Sequence, residues 1–377
     1  MRVAITLEQC WHRVPGGTAT AALGCVEALG RLPAPPEMVG VSAWHRNPAG
    51  EPFVPGISVE AVRLPRAALY WGWHQMRRPS LERAVGPVDA IHATGMAVPP
   101  RTAPLAVTVN DLAFLRHPDH FTPRGVRFFA RSLDLTRTEA DLVVCPSQHT
   151  ADDCARAGID GDRVRLVPYW ADDRLVSLGE ADEVRRRFGL ADRFVLWVGT
   201  AEPRKNLAGL LEAWRMLGRT AEDLVLVGPK GWKSGLGGEL GSSGQSGLGA
   251  SLGSSGQSVR RLGFVAEADK RALMRAAAVV CFPSLTEGFG LPVLEAMVQG
   301  APVVTSAVGA TAEVAGPTGV LVDPSRSQEI AEALAGLLDD PDDAARLGKQ
   351  GRERALAEFT WQRTASGLLD VYRELAG

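Results

Sequence analysis

The sequence predicts an α/β protein built from two doubly wound domains, and three observations predict it. The chain has 377 residues, more than one ordinary core needs and suited to two domains of about 150–200 residues each. Short Val/Ile/Leu runs alternate with longer helical patterns, the order typical of doubly wound α/β units. Several runs are almost continuously apolar, as in parallel strands that are buried on both faces.

The positions of these runs indicate two Rossmann-like halves. A turn-rich segment, 168–178, precedes a charged helical pattern, so we expect domains over 1–172 and 173–360. The last helix, 361–377, has apolar residues at helical spacing and is predicted to pack back on the first domain. The strand candidates are residues 2–6, 38–42, 88–92, 104–109, 141–145, 164–167, 194–199, 223–227, 260–264, 279–282, 302–305 and 319–322.

Composition argues against several classes of protein. The net charge of −2 does not favour a nucleic-acid binder, and no run reaches the roughly 18 apolar residues of a membrane span. The five cysteines are scattered without metal-ligand spacing, so we expect a reduced, cytoplasmic protein. The N-terminal apolar run is short and is followed by Glu8, which predicts a first strand and not a signal peptide.

One segment, 234–258, is unlike the rest of the chain. It is rich in Gly and Ser and contains Leu-Gly-Ser-Ser-Gly-Gln-Ser twice, at 240–246 and 252–258. Such a composition buries too little apolar surface to offset the entropy of ordering the backbone. We therefore expect a flexible surface loop.

The strongest chemical signal is the segment Glu287-Gly-Phe-Gly-Leu-Pro-Val-Leu-Glu295, which follows a strand candidate. It predicts a glycine loop and a helix start, where Pro292 suits the first turn because its missing N–H costs nothing there. Gly288 and Gly290 allow backbone N–H groups to approach a ligand, and a helix N-terminus favours an anion such as a diphosphate. The two carboxylates suit the diols of a nucleotide sugar.

A second segment, Trp197-Val-Gly-Thr-Ala-Glu-Pro-Arg-Lys-Asn206, places two cations after another strand candidate. We expect Arg204 and Lys205 at the carboxyl end of a parallel strand, where α/β folds bind ligands. A guanidinium can bind a diphosphate in a bidentate way, and an ammonium is a compact charge. If the diphosphate is a leaving group, its charge grows in the transition state, so the cations stabilise that state more than the ground state.

Together these two segments resemble glycosyltransferase family 4, a retaining family with the GT-B architecture of two Rossmann-like domains facing a central cleft. The resemblance extends over most of the chain and includes residues 89–93, 108–118, 144–147 and 359–361. It implies that the C-terminal domain binds a nucleotide diphosphate sugar as donor and that the N-terminal domain binds the acceptor.

Carried over residue by residue, the resemblance implies roles in donor binding and transfer. Glu295 would bind the ribose hydroxyls, and Glu287 would bind the transferred sugar. Arg204 and Lys205 would hold the diphosphate. The remaining donor-binding positions are backbone or apolar ones: Gly16, Gly17, Gly199, Gly288, Phe289, Gly290 and Leu291.

The chain departs from the family in the N-terminal domain, where Asn110-Asp111 stands in place of a frequent His-Asp pair. The resemblance implies a catalytic role for this pair, although Asn110 can hydrogen-bond a sugar hydroxyl but cannot be a cation. Helix capping or turn formation is an equally open alternative for both residues. His92 and His117 are candidates for acceptor binding, and for His92 a hydrogen-bonded core histidine is the open alternative.

The reaction implied by the resemblance is hexosyl transfer with retention to a glycan or lipid-linked acceptor in polysaccharide or glycolipid assembly. GDP-mannose is the first candidate donor, because segment 197–206 is most similar to mannosyl- and rhamnosyl-transferring members. We expect no cofactor and no metal, since Arg204, Lys205 and a helix start meet the phosphate charge. Two alternatives remain open: an epimerase of nucleotide sugars, and a silent partner that binds nucleotide sugar. A nicotinamide dehydrogenase is disfavoured because no Gly-x-Gly-x-x-Gly follows the first strand.

The middle of the N-terminal domain is basic although the whole chain is not. Residues 63–137 contain eleven Arg, no Lys and five acids, a surplus of six positive charges. Segment 63–83 combines several of these arginines with Tyr and Trp. Such a surface could rest on anionic lipid at the inner face of the plasma membrane, and core helices with solvated arginines are the alternative.

Overall fold

The computed structural model of the protein describes residues 1–229, 250–251 and 257–377. The predicted loop 234–258 lies outside these residues except for 250–251 and 257–258. The described residues form two compact units, Met1–Trp170 together with Phe359–Gly377, and Ala171–Glu358.

Strands and helices alternate along the described residues as the sequence predicts. The strands are β1 (Arg2–Thr6), β2 (Glu37–Ala43), β3 (Val59–Val62), β4 (Ala90–Ala93), β5 (Leu105–Thr108), β6 (Leu142–Cys145), β7 (Val164–Leu166), β8 (Phe194–Val198), β9 (Asp223–Val227), β10 (Ala250–Ser251), β11 (Ser258–Gly263), β12 (Val279–Phe282), β13 (Val303–Ser306) and β14 (Val320–Val322). The α-helices are α1 (Gly16–Gly30), α2 (Arg66–Trp71), α3 (Glu82–Val85), α4 (Ala113–Arg116), α5 (Pro123–Glu139), α6 (Gln148–Arg156), α7 (Leu178–Arg187), α8 (Leu207–Leu217), α9 (Glu267–Ala276), α10 (Leu291–Val298), α11 (Ala310–Ala315), α12 (Ser327–Asp339), α13 (Pro341–Glu358) and α14 (Trp361–Ala376). Short 3₁₀ segments span Glu8–Trp11, Pro118–His120, Gly161–Arg163, Pro203–Lys205 and Gly316–Thr318, and a π-helical turn spans Gly72–Met76.

The first unit contains a parallel sheet with the strand order β3-β2-β1-β4-β5-β6-β7. Its central strands β4, β5 and β6 are buried at every position, as expected for a sheet that is covered on both faces. The direction of strand addition reverses between β1 and β4. In folds of this kind, ligands bind outside the carboxyl ends of the strands at such a switch point.

The second unit repeats this arrangement with the order β10-β11-β9-β8-β12-β13-β14. All of its strand pairs are parallel except that of the two-residue edge strand β10 with β11. Its switch point lies between β8 and β12. The two segments that carry the chemical signal in the sequence follow these two strands, so the topology brings them to the same edge of the sheet.

The predicted fold class is confirmed, since each unit is a Rossmann-like parallel sheet and every predicted strand corresponds to an observed one. The prediction missed β3, because this edge strand has the sequence Val-Glu-Ala-Val, is largely exposed and forms no apolar run. It also missed β10. The first helix begins at Gly16, so Gly16 and Gly17 lie in its first helical turn.

The C-terminal helix α14 lies in the first unit, where it packs against α1. Ala28, Trp170 and Ala365 form a small apolar cluster between these elements. Tyr372 is fully buried, and its hydroxyl lies 2.7 Å from Nδ1 of His92 on β4. Among the described residues, no helix combines the length and apolar character that crossing a membrane requires.

Candidate functional site

The loop after β8 positions the two cations of the second unit. Pro203–Lys205 forms one 3₁₀ turn, and Asn206 follows in the left-handed conformation with φ of 53°. The Asn206 side chain is fixed because its Nδ2 donates to the carbonyl of Pro324 at 2.6 Å. Lys205 is buried, and its Nζ lies 4.9 Å from the centroid of the Phe282 ring at the end of β12. The turn therefore directs Lys205 towards the neighbouring strand.

The loop after β12 is tied to this turn. The N–H of Leu285 donates to the carbonyl of Arg204 at 2.8 Å. Gly290 closes the loop with φ of +99°, and a Cβ at this position would lie 2.8 Å from Cγ2 of Thr311. Only glycine fits here without strain, and it allows α10 to begin at Leu291 with its N-terminus at the switch point. The first N–H groups of α10 thus lie at the edge of the sheet where the cations are.

Glu287 forms ion pairs with both cations. One carboxylate oxygen lies 3.1 Å from Nη1 of Arg204, and the other pairs with Nζ of Lys205. Arg204 also pairs with the buried Glu202, whose Oε1 lies 2.8 Å from its Nε. Glu287 is only 8% exposed, so these ion pairs are largely withdrawn from water. The sequence predicted a site at this edge but did not predict that its charges would pair with one another.

The protonation of this cluster follows from its burial and its charges. Burial acts to raise the pKa of Glu287, but the positive charges of Lys205 and Arg204 outweigh it, and the pKa lies below its ordinary value. Burial lowers the pKa of Lys205, and the Arg204 charge adds to this effect while Glu287 opposes it. Glu287 is therefore ionised at neutral pH and can accept hydrogen bonds from ligand hydroxyls.

Glu295 lies on α10, and its partner is a residue that the sequence analysis missed. Nζ of Lys270 on α9 lies 2.9 Å from Oε1 of Glu295 and 3.0 Å from Oε2 of Glu267. Burial raises the pKa of Glu295, and Lys270 opposes that effect. For Lys270 the two carboxylates outweigh burial and hold the pKa above its ordinary value. The three-residue spacing of Glu267 and Lys270 was visible in the sequence, but the fold alone brings Glu295 to them.

The remaining donor candidates of the second unit occupy the same loops. Gly199 directly follows β8, and a Cβ on Gly228 would lie 2.0 Å from the carbonyl oxygen of Gly199. Phe289 is buried between the two loop glycines, and Leu291 is the first residue of α10. Gly288 precedes Phe289 in the same loop.

In the first unit, Gly16 and Gly17 form the start of α1, and a Cβ at either position would meet no atom within 4 Å. Asn110 follows β5 and accepts a hydrogen bond at Oδ1 from the hydroxyl of Tyr169 at 2.5 Å. Asp111 accepts at Oδ1 from the N–H of Ala113 at 3.1 Å. The Asp111 bond closes a local turn, whereas the Asn110 bond joins two segments that are 59 residues apart.

The two histidine candidates have different environments. His92 is buried, with Nδ1 2.7 Å from the Tyr372 hydroxyl and Nε2 2.7 Å from the Thr108 hydroxyl. Burial lowers its pKa to about 4, so it is neutral and has the geometry of a core histidine. His117 ends α4 and stacks on His120 with ring centroids 5.0 Å apart. The structure does not bring these two histidines together.

Potential metal ligands lie close together at one place in the described residues. Donor atoms of His117, Asp119 and His120 lie within 4.8 Å of one another, in the first unit. At the switch point of the second unit, by contrast, the groups available to a phosphate are Arg204 and Lys205. Both cations are paired there with carboxylates, Arg204 with Glu202 and Glu287, and Lys205 with Glu287.

The basic aromatic segment 63–83 divides between core and surface. Trp73 is fully buried, and Arg77 is held by the carboxylate of Glu139. Trp71 and Met76 are 61% and 56% exposed. The exposed arginines of the segment are Arg63, Arg66, Arg78 and Arg83.

Two family models match the chain and together cover most of it. "Glycosyl transferase 4-like domain" matches residues 16–170, and "Glycosyl transferases group 1" matches residues 180–354.

Curated relatives align over both units. The O-antigen chain mannosyltransferase B of Escherichia coli is 31% identical over 302 residues, which cover 75% of this chain and 74% of the relative. The MMP alpha-(1->4)-mannosyltransferase of Mycolicibacterium hassiacum is 32% identical over 249 residues, which cover 64% of this chain and 55% of that protein. Against the second relative, the chain thus matches only about half of the length.

A solved structure shares the fold over the whole chain. The Anabaena HepE protein in complex with UDP-glucose has a TM-score of 0.74, with 99% of this chain and 100% of that chain covered. Its sequence identity is 20%, so this likeness concerns the fold alone.

Proposed function

This chain belongs to the GT4-type glycosyltransferases with the GT-B architecture, and from that premise we propose that it is a retaining hexosyltransferase whose first candidate donor is GDP-mannose. The acceptor that we propose is a glycan or a lipid-linked glycan, in polysaccharide or glycolipid assembly. The donor is bound by the second unit and the acceptor by the first.

The observation that carries this proposal is the cluster of Arg204, Lys205 and Glu287 at the switch point of the second sheet. Two cations and a helix N-terminus meet at the edge where such folds bind ligands, and a diphosphate is the anion that suits them. When the diphosphate binds Arg204 and Lys205, it replaces the Glu287 carboxylate as the anion that pairs with these two cations. The Glu287 carboxylate is then available to the hydroxyls of the transferred sugar.

Glu295 supports recognition of the nucleotide. It lies inside α10, beyond the loop that would contact the phosphates, and Lys270 holds one of its oxygens at 2.9 Å. A carboxylate accepts hydrogen bonds from two neighbouring hydroxyls, which suits a ribose. Gly288, Phe289 and Gly290 would supply backbone N–H groups to the distal phosphate or the sugar.

Transfer by these residues rests on charge stabilisation. As the bond between the sugar and the phosphate breaks, negative charge grows on the diphosphate, and Arg204 and Lys205 stabilise it in a site with little water. We propose a front-face reaction in which the leaving phosphate takes the acceptor proton, so that the configuration is retained. Because two cations neutralise the leaving group, we expect activity without a metal ion.

The choice of mannose rests on the relatives, of which two are named mannosyltransferases. The test is release of nucleoside diphosphate from GDP-mannose, UDP-glucose and dTDP-rhamnose, with octyl α-D-mannopyranoside as acceptor and with EDTA present or absent. We expect release from GDP-mannose, unchanged by EDTA, and a product with the donor's anomeric configuration. Conversion of the donor to another nucleotide sugar without acceptor would support the epimerase instead, and binding without turnover would support the silent partner.

Lys205→Met provides the matched test of the cation cluster. Removing one group that donates to the charge developing in the transition state typically lowers kcat by about 10²–10³-fold, and we expect a loss of this size in Lys205→Met. Lys349→Met is the control, because Lys349 is 80% exposed and its Nζ lies 4.0 Å from the carboxylate of Glu353, at the limit of an ion pair. Equal loss in both variants, or loss in neither, would contradict the role proposed for Lys205.

We also propose that the first unit contacts anionic membrane through the surface of segment 63–83. Trp71 and Met76 are exposed apolar side chains next to exposed arginines, the combination that favours an anionic lipid interface. The protein should sediment with phosphatidylglycerol vesicles at low salt, and Trp71→Ala combined with Met76→Ser should abolish this. Met216→Ser is the control, since Met216 is also 56% exposed and lies in the second unit. Failure of the wild type to sediment would exclude the contact.

A further inference from the structure

A buried carboxylate lies at the carboxyl end of β1, a strand that borders the switch point of the first sheet. Glu8 directly follows Leu7 after β1 and is 2% exposed. Its Oε2 accepts the N–H of Ala43 at the end of β2, at 2.7 Å. Buried acidic side chains are rare unless they are paired. Among the described residues, the side chain that pairs with Glu8 is His45, and no Lys or Arg forms an ion pair with it.

The Glu8 carboxylate holds the imidazole of His45 by one of its nitrogens. Nε2 of His45 lies 3.0 Å from Oε1 and 2.9 Å from Oε2 of Glu8. Because the carboxylate holds Nε2, Nδ1 is the ring nitrogen that remains for another partner. No described residue forms a hydrogen bond with Nδ1 of His45. The ring is half-buried, so its outer nitrogen is available to a ligand.

An aromatic wall stands beside this imidazole. The rings of Trp11 and His45 are stacked, with centroids 5.1 Å apart and planes 6° from parallel. The indole N–H of Trp11 donates to the carbonyl of Asn47 at 3.0 Å, which fixes the ring. Trp11 is only half-buried. Its rigid apolar surface can therefore support the C–H face of a pyranose ring.

The other side chains at this edge are polar, and the positive charge of Arg66 acts on two of them, His12 and Tyr70. His12 lies 3.4 Å from the Tyr70 hydroxyl, and burial, the Arg66 charge and His45 lower its pKa to about 4. Gln9 donates to the hydroxyl of Thr94 after β4 at 2.7 Å, which connects the two strands at the switch point. The surroundings thus offer hydrogen-bond donors and acceptors beside the Glu8 carboxylate, which suits the hydroxyl groups of a sugar.

We propose that Glu8, Trp11 and His45 form the acceptor subsite of this transferase and that its ligand is a neutral hexopyranoside. Nδ1 of His45 forms a hydrogen bond with a sugar hydroxyl, and Trp11 packs against the sugar ring. Glu8 is a positioning residue, because its carboxylate holds Nε2 and so fixes the orientation of the His45 ring. This inference rests on the proposed function and specifies which residues of the first unit recognise the acceptor.

The test is saturation-transfer NMR with methyl α-D-mannopyranoside on the full chain, which detects binding at millimolar concentration. The wild type should give sugar signals, His45→Ala should reduce them at least five-fold, and His45→Asn should restore part of them. Glu8→Gln should also reduce them. His149→Ala is the control, because His149 is a half-buried histidine of the same unit that also faces a carboxylate, 3.7 Å away in Asp153.

Absence of sugar signals in the wild type, or signals of equal strength in His45→Ala, would overturn the proposal. Thermal melting with GDP-mannose is measured on the same variants and separates this inference from the donor chemistry. A donor-induced rise that is equal in the wild type and in Glu8→Gln, with sugar signals lost only in Glu8→Gln, would show that Glu8 acts on the acceptor. A wild type that binds the methyl mannoside but no nucleotide sugar would contradict the proposed function and leave the subsite intact.

Discussion

Replacing Lys270 by Met tests whether the carboxylate of Glu295 is held in place for the nucleotide. In the structure, Nζ of Lys270 lies 2.9 Å from Glu295 and 3.0 Å from Glu267, and all three groups are on α9 and α10. Without Lys270, the buried Glu295 faces the carboxylate of Glu267, and Arg271 is the cation whose charge still opposes the effect. Its pKa, which burial already raises, would then rise further, so the side chain would take up a proton or turn away.

The size of the effect follows from the hydrogen bonds that Glu295 would make. A hydrogen bond to a charged group is worth about 1.5–3 kcal/mol, which corresponds to about a 10- to 150-fold change in Kd. We expect Lys270→Met to weaken GDP-mannose binding within this range. We expect Glu267→Gln to change it little, because the pair of Lys270 and Glu295 remains.

The assay is isothermal titration with GDP-mannose and with its 2′-deoxy analogue. The wild type should bind the analogue more weakly, and Lys270→Met should reduce this difference, since its Glu295 no longer recognises the hydroxyl. Tight binding by Lys270→Met, or an unchanged preference for the 2′-hydroxyl, would refute the reasoning.

Two further predictions concern stability. Gly290→Ala should lower the free energy of unfolding by about 1–3 kcal/mol, because φ is +99° and the new Cβ would lie 2.8 Å from Thr311. Gly336→Ala, in α12 with no atom within 4 Å of the new Cβ, should raise it by about 0.5–1 kcal/mol. Urea denaturation measures both changes, and equal effects of the two substitutions would contradict the strain at Gly290. The pKa of Glu287 is lowered in the folded protein, so its contribution to stability is complete above the ordinary glutamate pKa and is lost as the pH falls through the lower folded value. Glu287→Gln should therefore destabilise the protein more at pH 7 than at about pH 3. If the free energies of unfolding of the wild type and the variant differ by the same amount at both pH values, folding does not stabilise the ionised carboxylate.

Much of the fold could be predicted because buried parallel strands have a plain sequence pattern. Strands such as Val279–Phe282 are apolar at every position and are buried on both faces. The edge strand Val59–Val62 has no such pattern, because most of its side chains face solvent and its pairing with β2 depends on the sheet that is already present. A half-exposed edge strand is therefore the element that pattern analysis misses.

The loops of the candidate site could be predicted from the sequence, but the ion pairs that its charged residues form could not. Glycines and charges after a strand indicate a ligand edge, which located Arg204, Lys205 and Glu287. The sequence did not indicate that Lys270 approaches Glu295, since 25 residues separate them and only the packing of α9 and α10 joins them. The pair of Glu8 and His45 was missed for the same reason, because it connects the ends of β1 and β2.

The central claim is that the second unit binds a nucleotide sugar through Glu295 and the cation cluster. Isothermal titration of GDP-mannose into the wild type, Glu295→Ala and Glu332→Ala tests it most directly, with the exposed Glu332 of α12 as the control. We expect binding to the wild type and to Glu332→Ala, and a Kd at least ten-fold higher for Glu295→Ala. Equal binding by Glu295→Ala would contradict the claim.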